Sequence, residues 1–255
     1  MERVPQKVAV VTGGESGIGA ASALRLARAG ADLAITYHSD AEAASAVEDS
    51  IEALERRVVA VQCDVGREED VARLFDAAGK LGVPGWLVNS AGVNMSGVMI
   101  EDMSLEKFSS TLSADLVGPF LTCREFARRA GKRGGRIVNI SSIHERAPRA
   151  GGVDYDAAKG GLSQLTATLA LELAPKGIAV NGIAPGMILT PMNQSAIDHP
   201  AELAAKEAAI PWGRAGTPEE VAELVAFLLS GAADYITGTT VTIDGGLSLT
   251  VAQGA

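Results

Sequence analysis

Residues 7–19 read Lys7-Val8-Ala9-Val10-Val11-Thr12-Gly13-Gly14-Glu15-Ser16-Gly17-Ile18-Gly19. The apolar, largely β-branched run predicts a buried strand, and the alanine- and leucine-rich residues that follow predict a helix. The glycines lie in the turn between them, where the backbone can bend tightly and approach a ligand closely. The first amides of a helix attract anions, so the turn predicts a pyrophosphate site. A glycine-rich turn without a ligand is the alternative, because Gly-x-x-x-Gly-x-Gly is looser than the more familiar dinucleotide spacing.

Apolar runs alternate with helical patterns along the rest of the chain. Such alternation predicts right-handed crossovers and a parallel sheet covered by helices on both faces, and continuous apolar strands suit burial on both sides. Strands are predicted near residues 7–12, 32–37, 57–62, 85–89, 135–141, 178–184 and 240–243, and helices from near 17, 41, 67, 104, 154 and 217. We therefore predict one α/β domain over residues 1–255, a doubly wound, Rossmann-type parallel sheet of about seven strands.

The segment over residues 187–211 has weaker periodicity than its surroundings. It holds three prolines around a short helical pattern at 201–208 and directly follows Pro185-Gly186. Long irregular segments beside a site are often lids. We predict a substrate lid here, with an ordinary surface excursion as the alternative.

A second group of residues points to proton chemistry. Tyr155 and Lys159 are four residues apart on a predicted helix and so share one face. An ammonium favours the ionised form of a neighbouring phenol, and such a phenol can exchange the proton that alcohol–carbonyl interconversion requires. Ser142, thirteen residues before Tyr155, offers a hydroxyl to hold the reacting oxygen. Tyr and Lys occur at this spacing by chance, so the catalytic interpretation also depends on the glycine-rich turn at residues 13–19.

Together the two groups resemble the short-chain dehydrogenase/reductase family over nearly the whole chain. The resemblance implies a nicotinamide cofactor and an enzyme that interconverts a secondary alcohol and a carbonyl, with Ser142 holding the substrate oxygen and Tyr155 and Lys159 as the acid/base pair. It places at the cofactor Gly13, Ser16, Gly17, Ile18, Gly19, Tyr37, His38, Ser39, Asp64, Val65, Asn89, Ala91, Gly92, Tyr155, Lys159, Pro185, Gly186, Ile188 and Thr190. Within this set, Asp64 would accept from the adenine amino group and Thr190 would contact the carboxamide.

One branch of the family is more similar than the others. Residues 141–148, Ser-Ser-Ile-His-Glu-Arg-Ala-Pro, resemble a stretch of bacterial glucose 1-dehydrogenases. Gly92-Val93-Asn94 departs from the Gly-Leu-Glu of that branch, so an acidic sugar contact is missing and the substrate is a sugar or a small ketone. Candidate substrate residues are Asn94, His144, Met187 and Met192. His144 making only a structural hydrogen bond is the alternative, and we expect Glu145 to be solvated.

Asp115 departs from the family pattern at a position that touches catalysis. It takes the place of the Asn in the Asn-Leu-x-Gly-x-Phe helix of the family. A carboxylate close to Lys159 would stabilise the charged lysine and partly cancel that charge as seen by Tyr155. We therefore count Asp115 as a fourth catalytic residue and expect less activity than an Asn would give.

The end of the second predicted strand bears on the choice of cofactor. An acid near position 37 would bind the ribose hydroxyls and exclude a 2′-phosphate, but the chain has Tyr37-His38-Ser39 there. The resembling branch has arginine, a bidentate phosphate ligand, in place of His38. Glu15 would oppose a phosphate, and side chains that simply face solvent are the alternative. We predict NADP(H), with NAD(H) usable.

Composition excludes several other classes. A formal charge of −9 and a pI near 4.9 argue against nucleic-acid binding. No run approaches the roughly 20 apolar residues of a membrane span, and residues 1–5 contain no apolar leader core. The three histidines are scattered without metal-ligand spacing, and two cysteines suit reduced thiols. We predict a cytoplasmic enzyme without metal, and the resemblance implies a homotetramer packed through helix 154–176.

Two alternatives are left open. A reductase of 3-oxoacyl thioesters on the same scaffold predicts a basic docking surface for an acidic carrier, which the acidic composition does not support. A nucleotide-sensing protein without turnover is hinted at by Asp115 and opposed by the intact Ser142, Tyr155 and Lys159.

Overall fold

Seven parallel strands form one sheet in the order β3-β2-β1-β4-β5-β6-β7. The computed structural model describes residues 7–131 and 133–252; residues 1–5, for which no leader core is predicted, lie outside them. The strands are β1 (Val8–Thr12), β2 (Asp32–Tyr37), β3 (Val58–Gln62), β4 (Pro84–Asn89), β5 (Gly135–Ile140), β6 (Ile178–Pro185) and β7 (Thr240–Ile243). The winding direction reverses between β1 and β4, which is where ligands bind in open α/β sheets.

Helices cover both faces of the sheet. They are α1 (Gly17–Arg28), α2 (Ala41–Glu52), α3 (Glu68–Leu81), α4 (Leu105–Leu112), α5 (Gly118–Ala130), α6 (Val153–Leu173), α7 (Gln194–Ile197), α8 (Pro200–Glu207) and α9 (Pro218–Leu229). A π-helical turn, Ser113–Val117, joins α4 to α5. The predicted fold is confirmed, and every predicted strand end lies within one residue of the observed one.

Two apolar layers hold the helices on the sheet. Successive side chains of a strand point to opposite faces, so Val11 packs with Leu26 and Val225 on one side, while Val10 packs with Phe75 and Phe126 on the other. This explains why the strands read as continuous apolar runs: both faces of each central strand are buried.

Buried polar side chains tie the carboxyl ends of β4 and β5 to the helices beneath. Asn89 and Asn139 are register partners, and the Asn89 Nδ2 donates to Asn139 Oδ1 at 2.8 Å. Thr122 of α5 donates to Asn89 Oδ1 at 2.6 Å, and Asn139 Nδ2 donates to Thr166 Oγ1 of α6 at 2.9 Å. Buried polar groups that are satisfied in this way fix their elements rigidly. This network of buried hydrogen bonds therefore holds α6, the helix that carries Tyr155, at this edge of the sheet.

Within residues 7–131 and 133–252, no helix combines the length and apolarity that crossing a membrane requires.

Candidate active site

The glycines of the turn after β1 let it pack tightly against neighbouring backbone, in addition to leaving room for a ligand. Thr12 Oγ1 accepts from the amides of Ser90 and Ala91 at 3.0 and 3.1 Å, which joins this turn to the one after β4. Gly13 has φ +63°, in the left-handed region that glycine tolerates. A Cβ at Gly19 would lie 1.9 Å from the Gly13 carbonyl oxygen, so no side chain fits there. The glycines thus let the turn close onto α1 and β4.

The start of α1 fits the pyrophosphate of a dinucleotide. The helix begins at Gly17, and among the described residues the Ser16 side chain makes no capping hydrogen bond to it. Its first amides are therefore donors at the positive end of the helix dipole. Gly17 has φ +52°, and a Cβ there would lie 3.2 Å from Thr190 Cγ2, so the turn also adjoins the segment after β6.

An open cavity of about 480 Å³ lies at the carboxyl ends of β2 and β3, where the sequence predicts the adenosine of the cofactor. It is lined by His38, Ala60, Val61, Gln62, Asp64, Asp70 and Arg73. Arg73 of α3 pairs with Asp70 at 2.8 Å, and the Asp64 amide donates to Asp70 at 3.0 Å. That amide, followed by the guanidinium, holds the pKa of Asp70 below its usual value. Arg73 was missed from the sequence, where only its position three residues after Asp70 on a helix signals the pair.

An acid faces the same end of the site. Glu15 Oε1 accepts from the His38 amide at 3.4 Å. The His38 ring and the Arg73 guanidinium therefore share this region with the carboxylates of Glu15, Asp64 and Asp70.

Tyr155 and Lys159 lie in the first two turns of α6. The Lys159 Nζ is 5.3 Å from the centre of the Tyr155 ring and donates to the Ile140 carbonyl at the end of β5 at 3.2 Å. The lysine side chain is buried, whereas the tyrosine is partly exposed at the cleft. The phenol can therefore meet a ligand while the ammonium supports it from inside.

Asp115 lies directly against Lys159. Its Oδ1 is 2.8 Å from Nζ, and its Oδ2 accepts from the Val93 amide at 3.0 Å. A Cβ at Gly92 would lie 2.5 Å from Oδ1, so the glycine leaves room for the carboxylate. Burial by itself would lower the pKa of Lys159, but the carboxylate and Tyr155 outweigh it and raise that pKa above its ordinary value. Lys159 is therefore held as an ammonium.

Ser142 begins a short 3₁₀ turn, Ile143–Glu145, after β5. Its Oγ accepts from the His144 amide at 3.2 Å, and the His144 ring lies edge-on to Tyr155 with centroids 6.2 Å apart. His144 Nδ1 also contacts the Ala147 carbonyl at 2.8 Å, which is the structural hydrogen bond considered above. The ring thus flanks Tyr155 while it braces its own loop.

The expectation for Glu145 was wrong. Its side chain is 2% exposed, and it accepts from Ser141 Oγ at 2.7 Å. The 3₁₀ turn folds the carboxylate back onto the end of β5, where burial would be costly without the serine hydroxyl and the nearby Arg146.

Two of the predicted substrate residues, Asn94 and Met192, are in direct contact. Asn94 Nδ2 donates to the Met192 carbonyl at 3.3 Å. Met187 lies at the root of the segment 187–211, where its carbonyl accepts from Gly216 at 2.9 Å. Asn89 also lies at this edge, but its side-chain amide is bonded to Asn139 and Thr122 within the buried polar network.

Comparison with known proteins agrees with this geometry. The family model described as enoyl-(acyl carrier protein) reductase matches residues 13–248. The 3beta-hydroxysteroid dehydrogenase 1 of Eggerthella lenta is 42% identical over 249 residues, which is 95% of this chain and 94% of the relative. Glucose 1-dehydrogenase 2 of Bacillus subtilis is 38% identical over 255 residues, 97% of this chain and 96% of the relative. The crystal structure of acetoin dehydrogenase from Enterobacter cloacae superposes with a TM-score of 0.90 at 37% identity and covers 99% of this chain and 100% of that one.

The chain belongs to the short-chain dehydrogenase/reductase family. It is an NAD(P)-dependent oxidoreductase that acts on the CH–OH group of an alcohol or on the corresponding carbonyl. The predicted resemblance to the glucose 1-dehydrogenases is confirmed, since two of the relatives carry that name.

Proposed function

We propose that Ser142, Tyr155, Lys159 and Asp115 interconvert a secondary alcohol and a ketone or related carbonyl. The observation that carries this proposal is the buried ammonium of Lys159, 5.3 Å from the ring of a cleft-facing tyrosine. A bound nicotinamide cofactor supplies or accepts the hydride. In reduction, Tyr155 donates its proton to the carbonyl oxygen, which Ser142 holds, and Lys159 stabilises the phenolate that remains. In oxidation the phenolate takes the hydroxyl proton back.

We infer that the cofactor lies along the carboxyl edge of the sheet. The glycine turn and the start of α1 would hold the pyrophosphate, Asp64 and Val65 the adenine, and Pro185, Gly186, Ile188 and Thr190 the nicotinamide end. The middle of the cofactor would lie against the turn after β4, which contains Asn89, Ala91 and Gly92.

We also propose that NADP(H) is preferred over NAD(H). Arg73 adds a guanidinium beside the His38 ring in the adenosine cavity and supports the preference, whereas the carboxylate of Glu15 opposes it. An Arg73→Gln substitution is expected to lower kcat/KM for NADPH several-fold and to leave that for NADH unchanged, because it removes a guanidinium that can bind phosphate. Steady-state kinetics with both cofactors would measure this. A wild-type kcat/KM at least tenfold higher with NADH would overturn the preference.

A reductase of carrier-bound thioesters is the second candidate, and the description of the family model favours it. Such an enzyme requires a basic surface beside its site for an acidic carrier. Lys7, Arg133 and Arg136 line a cavity of about 480 Å³, but it lies at the amino ends of the strands, the edge opposite Tyr155. We therefore favour a free alcohol or carbonyl substrate.

We propose that the enzyme acts in the cytoplasm. Cys63 and Cys123 support this, since both are free buried thiols, as expected in a reducing compartment. Burial raises the pKa of each thiol to about 12, so neither is reactive near neutral pH.

Replacing Tyr155 by Phe tests the catalytic proposal. Turnover with the best ketone is expected to fall about 10²- to 10⁴-fold, because the general acid is lost. Cofactor oxidation followed by absorbance measures it, and Tyr235→Phe, at a fully exposed tyrosine, is the matched control with unchanged turnover. A Tyr155→Phe enzyme that retains more than a tenth of the wild-type turnover would contradict the assignment. Cofactor binding by the wild type without turnover of any substrate would favour the nucleotide-sensing alternative instead.

A further inference from the structure

We propose that the substrate is an apolar secondary alcohol or ketone held by hydrophobic contact, and not a polyol such as a sugar. The inference rests on the proposed function of Tyr155, and it narrows the substrate class of that same site. Two independent observations carry it: where the polar groups around Tyr155 are directed, and which side chains are exposed at the cleft.

The carboxylates around Tyr155 are bonded within the protein. Asp115 pairs with Lys159, and Glu145 accepts from the Ser141 hydroxyl. Asp154 is fully buried and accepts from Thr111 Oγ1 at 3.0 Å. Its neighbour Asp156 accepts from the Arg149 amide at 2.9 Å. Charged acceptors make the strongest hydrogen bonds to hydroxyl groups, but these four are bonded within the protein, and the oxygens of Asp154 and Asp156 that have no partner are buried.

The amides near the cleft are engaged as well. Asn94 donates to the Met192 carbonyl at 3.3 Å, and Asn193 donates to the Ile188 carbonyl at 2.8 Å. Gln194 donates to Asp198 at 2.7 Å. The Ser142 and Tyr155 hydroxyls and the Nε2 of His144 are the groups that we expect to orient the substrate oxygen. Together they suffice for one substrate oxygen, whereas a polyol would bring several hydroxyls that lose water without gaining partners.

Three apolar side chains are exposed around the cleft, beside the exposed amide of Asn94. Val93 is 37% exposed, Met99 49% and Met192 51%. Single exposed apolar residues are ordinary, but these belong to segments that meet at one place. The Val93 amide bonds Asp115, the Met192 carbonyl bonds Asn94, and the Gly97 amide donates to the Gly151 carbonyl, just before α6, at 3.0 Å.

This grouping is what an apolar ligand site requires. Sites for small molecules are concave and mostly apolar, with a few polar groups that fix orientation. A cluster of exposed apolar side chains rimmed by polar residues marks such a site. Here Ser142 and Tyr155 provide the orienting pair, and Val93, Met99 and Met192 provide the apolar wall.

A homologous series of methyl ketones, compared with glucose and gluconate, tests the proposal. We expect kcat/KM to rise about two- to fourfold for each added methylene until the cleft is filled, since each buried methylene is favourable. Glucose and gluconate should be turned over at least a hundredfold less efficiently than the best ketone. A polyol preferred over every ketone, or no gain with chain length, would overturn the inference and leave the proposed chemistry standing. If neither the ketones nor the polyols are turned over, both this inference and the proposed function are overturned.

Two variants locate the effect. Met192→Gln keeps the length of the side chain but makes it polar, and it should raise KM for the longest ketone several-fold while kcat stays within about twofold. Leu54→Gln, at a leucine 37% exposed just after α2 and at the opposite edge of the sheet, is the matched control with an unchanged KM. Equal behaviour of the two variants would contradict a role for Met192 in the apolar wall.

Discussion

We expect Asp115 to control how much of the Lys159 charge reaches Tyr155. Replacing it with Asn keeps an acceptor for the Val93 amide but removes the negative charge 2.8 Å from the ammonium. We expect the turnover of alcohol oxidation to rise about two- to tenfold near neutral pH and its pH profile to shift to lower pH, because the uncompensated ammonium stabilises the phenolate more strongly. pH–rate profiles of wild type and Asp115→Asn measure the change.

The substitution leaves the other charged groups beside Tyr155 and Lys159 unchanged. Asp154 and Asp156 precede Lys159 on α6, and His144 flanks Tyr155. Asp234→Asn removes an acid that pairs with Arg136 at the opposite edge, and it should leave the pH profile where it is. A lower turnover of Asp115→Asn at every pH would contradict a charge role for Asp115.

The position of a side chain could be predicted when its partner is close in the sequence, and not when folding brings the partner to it. Lys159 and Tyr155 were predicted to share a face because they are one helical turn apart, and they do. Glu145 was expected in solvent, since nothing in the sequence shows that a 3₁₀ turn folds it onto Ser141. Arg73 was missed because its place in the adenosine cavity follows from how α3 packs beside β3. The catalytic roles themselves stay predictions.

The π-helical turn is the element that sequence periodicity did not reveal. One helix was predicted from residue 104, but the extra residue of the turn Ser113–Val117 divides it into α4 and α5. Such turns occur often at functional sites, and here the turn carries the buried Asp115. Ser-Ala-Asp-Leu-Val has ordinary helix-forming residues, so the widening comes from packing and not from a local signal.

The segment after β6 has the architecture expected of a lid, although its motion stays a prediction. Its root is tied by the Leu189 amide to the Gly216 carbonyl at 2.9 Å. Beyond that root lies α8, in which no side chain of the described helix is buried. A helix without a buried face gains little from packing, so α8 can move without loss to the two apolar layers, whereas Ile188 at the root is buried in one of them.

The turn between β1 and α1 provides a stability test. A Cβ at Gly19 would lie 1.9 Å from the Gly13 carbonyl oxygen, whereas a Cβ at Gly79 inside α3 would have no described atom within 4 Å. Gly19→Ala should therefore lower the free energy of unfolding by roughly 1–3 kcal/mol and weaken cofactor binding, because the turn must open. Gly79→Ala should raise it by about 0.5–1 kcal/mol. Urea unfolding and cofactor titration measure both, and an unchanged Gly19→Ala protein would contradict this account of the turn.

The topology of the whole sheet could be predicted because several independent sequence patterns indicate the same arrangement. Each strand is an apolar run buried on both faces, and each crossover is long enough for a helix, so period, length and order all point to one topology. The sequence does not show where subunits meet, because apolar residues on a helix surface have the same pattern whether water or another chain covers them. The assembly therefore remains a proposal.

We propose that the protein is a homotetramer, and exposed leucines on α4 and α6 support this. Leu105 of α4 and Leu171 of α6 are each 79% exposed, although a leucine gains about 1.5–3 kcal/mol from full burial. Light scattering should give about four times the chain mass of 26.1 kDa for the wild type. Leu171→Arg should shift the mass to a smaller species, because it places charges in the contact, whereas Leu54→Arg on the turn after α2 should leave the tetramer intact. A wild-type protein that runs at the mass of one chain, or a Leu171→Arg protein that stays tetrameric, would contradict packing through α6.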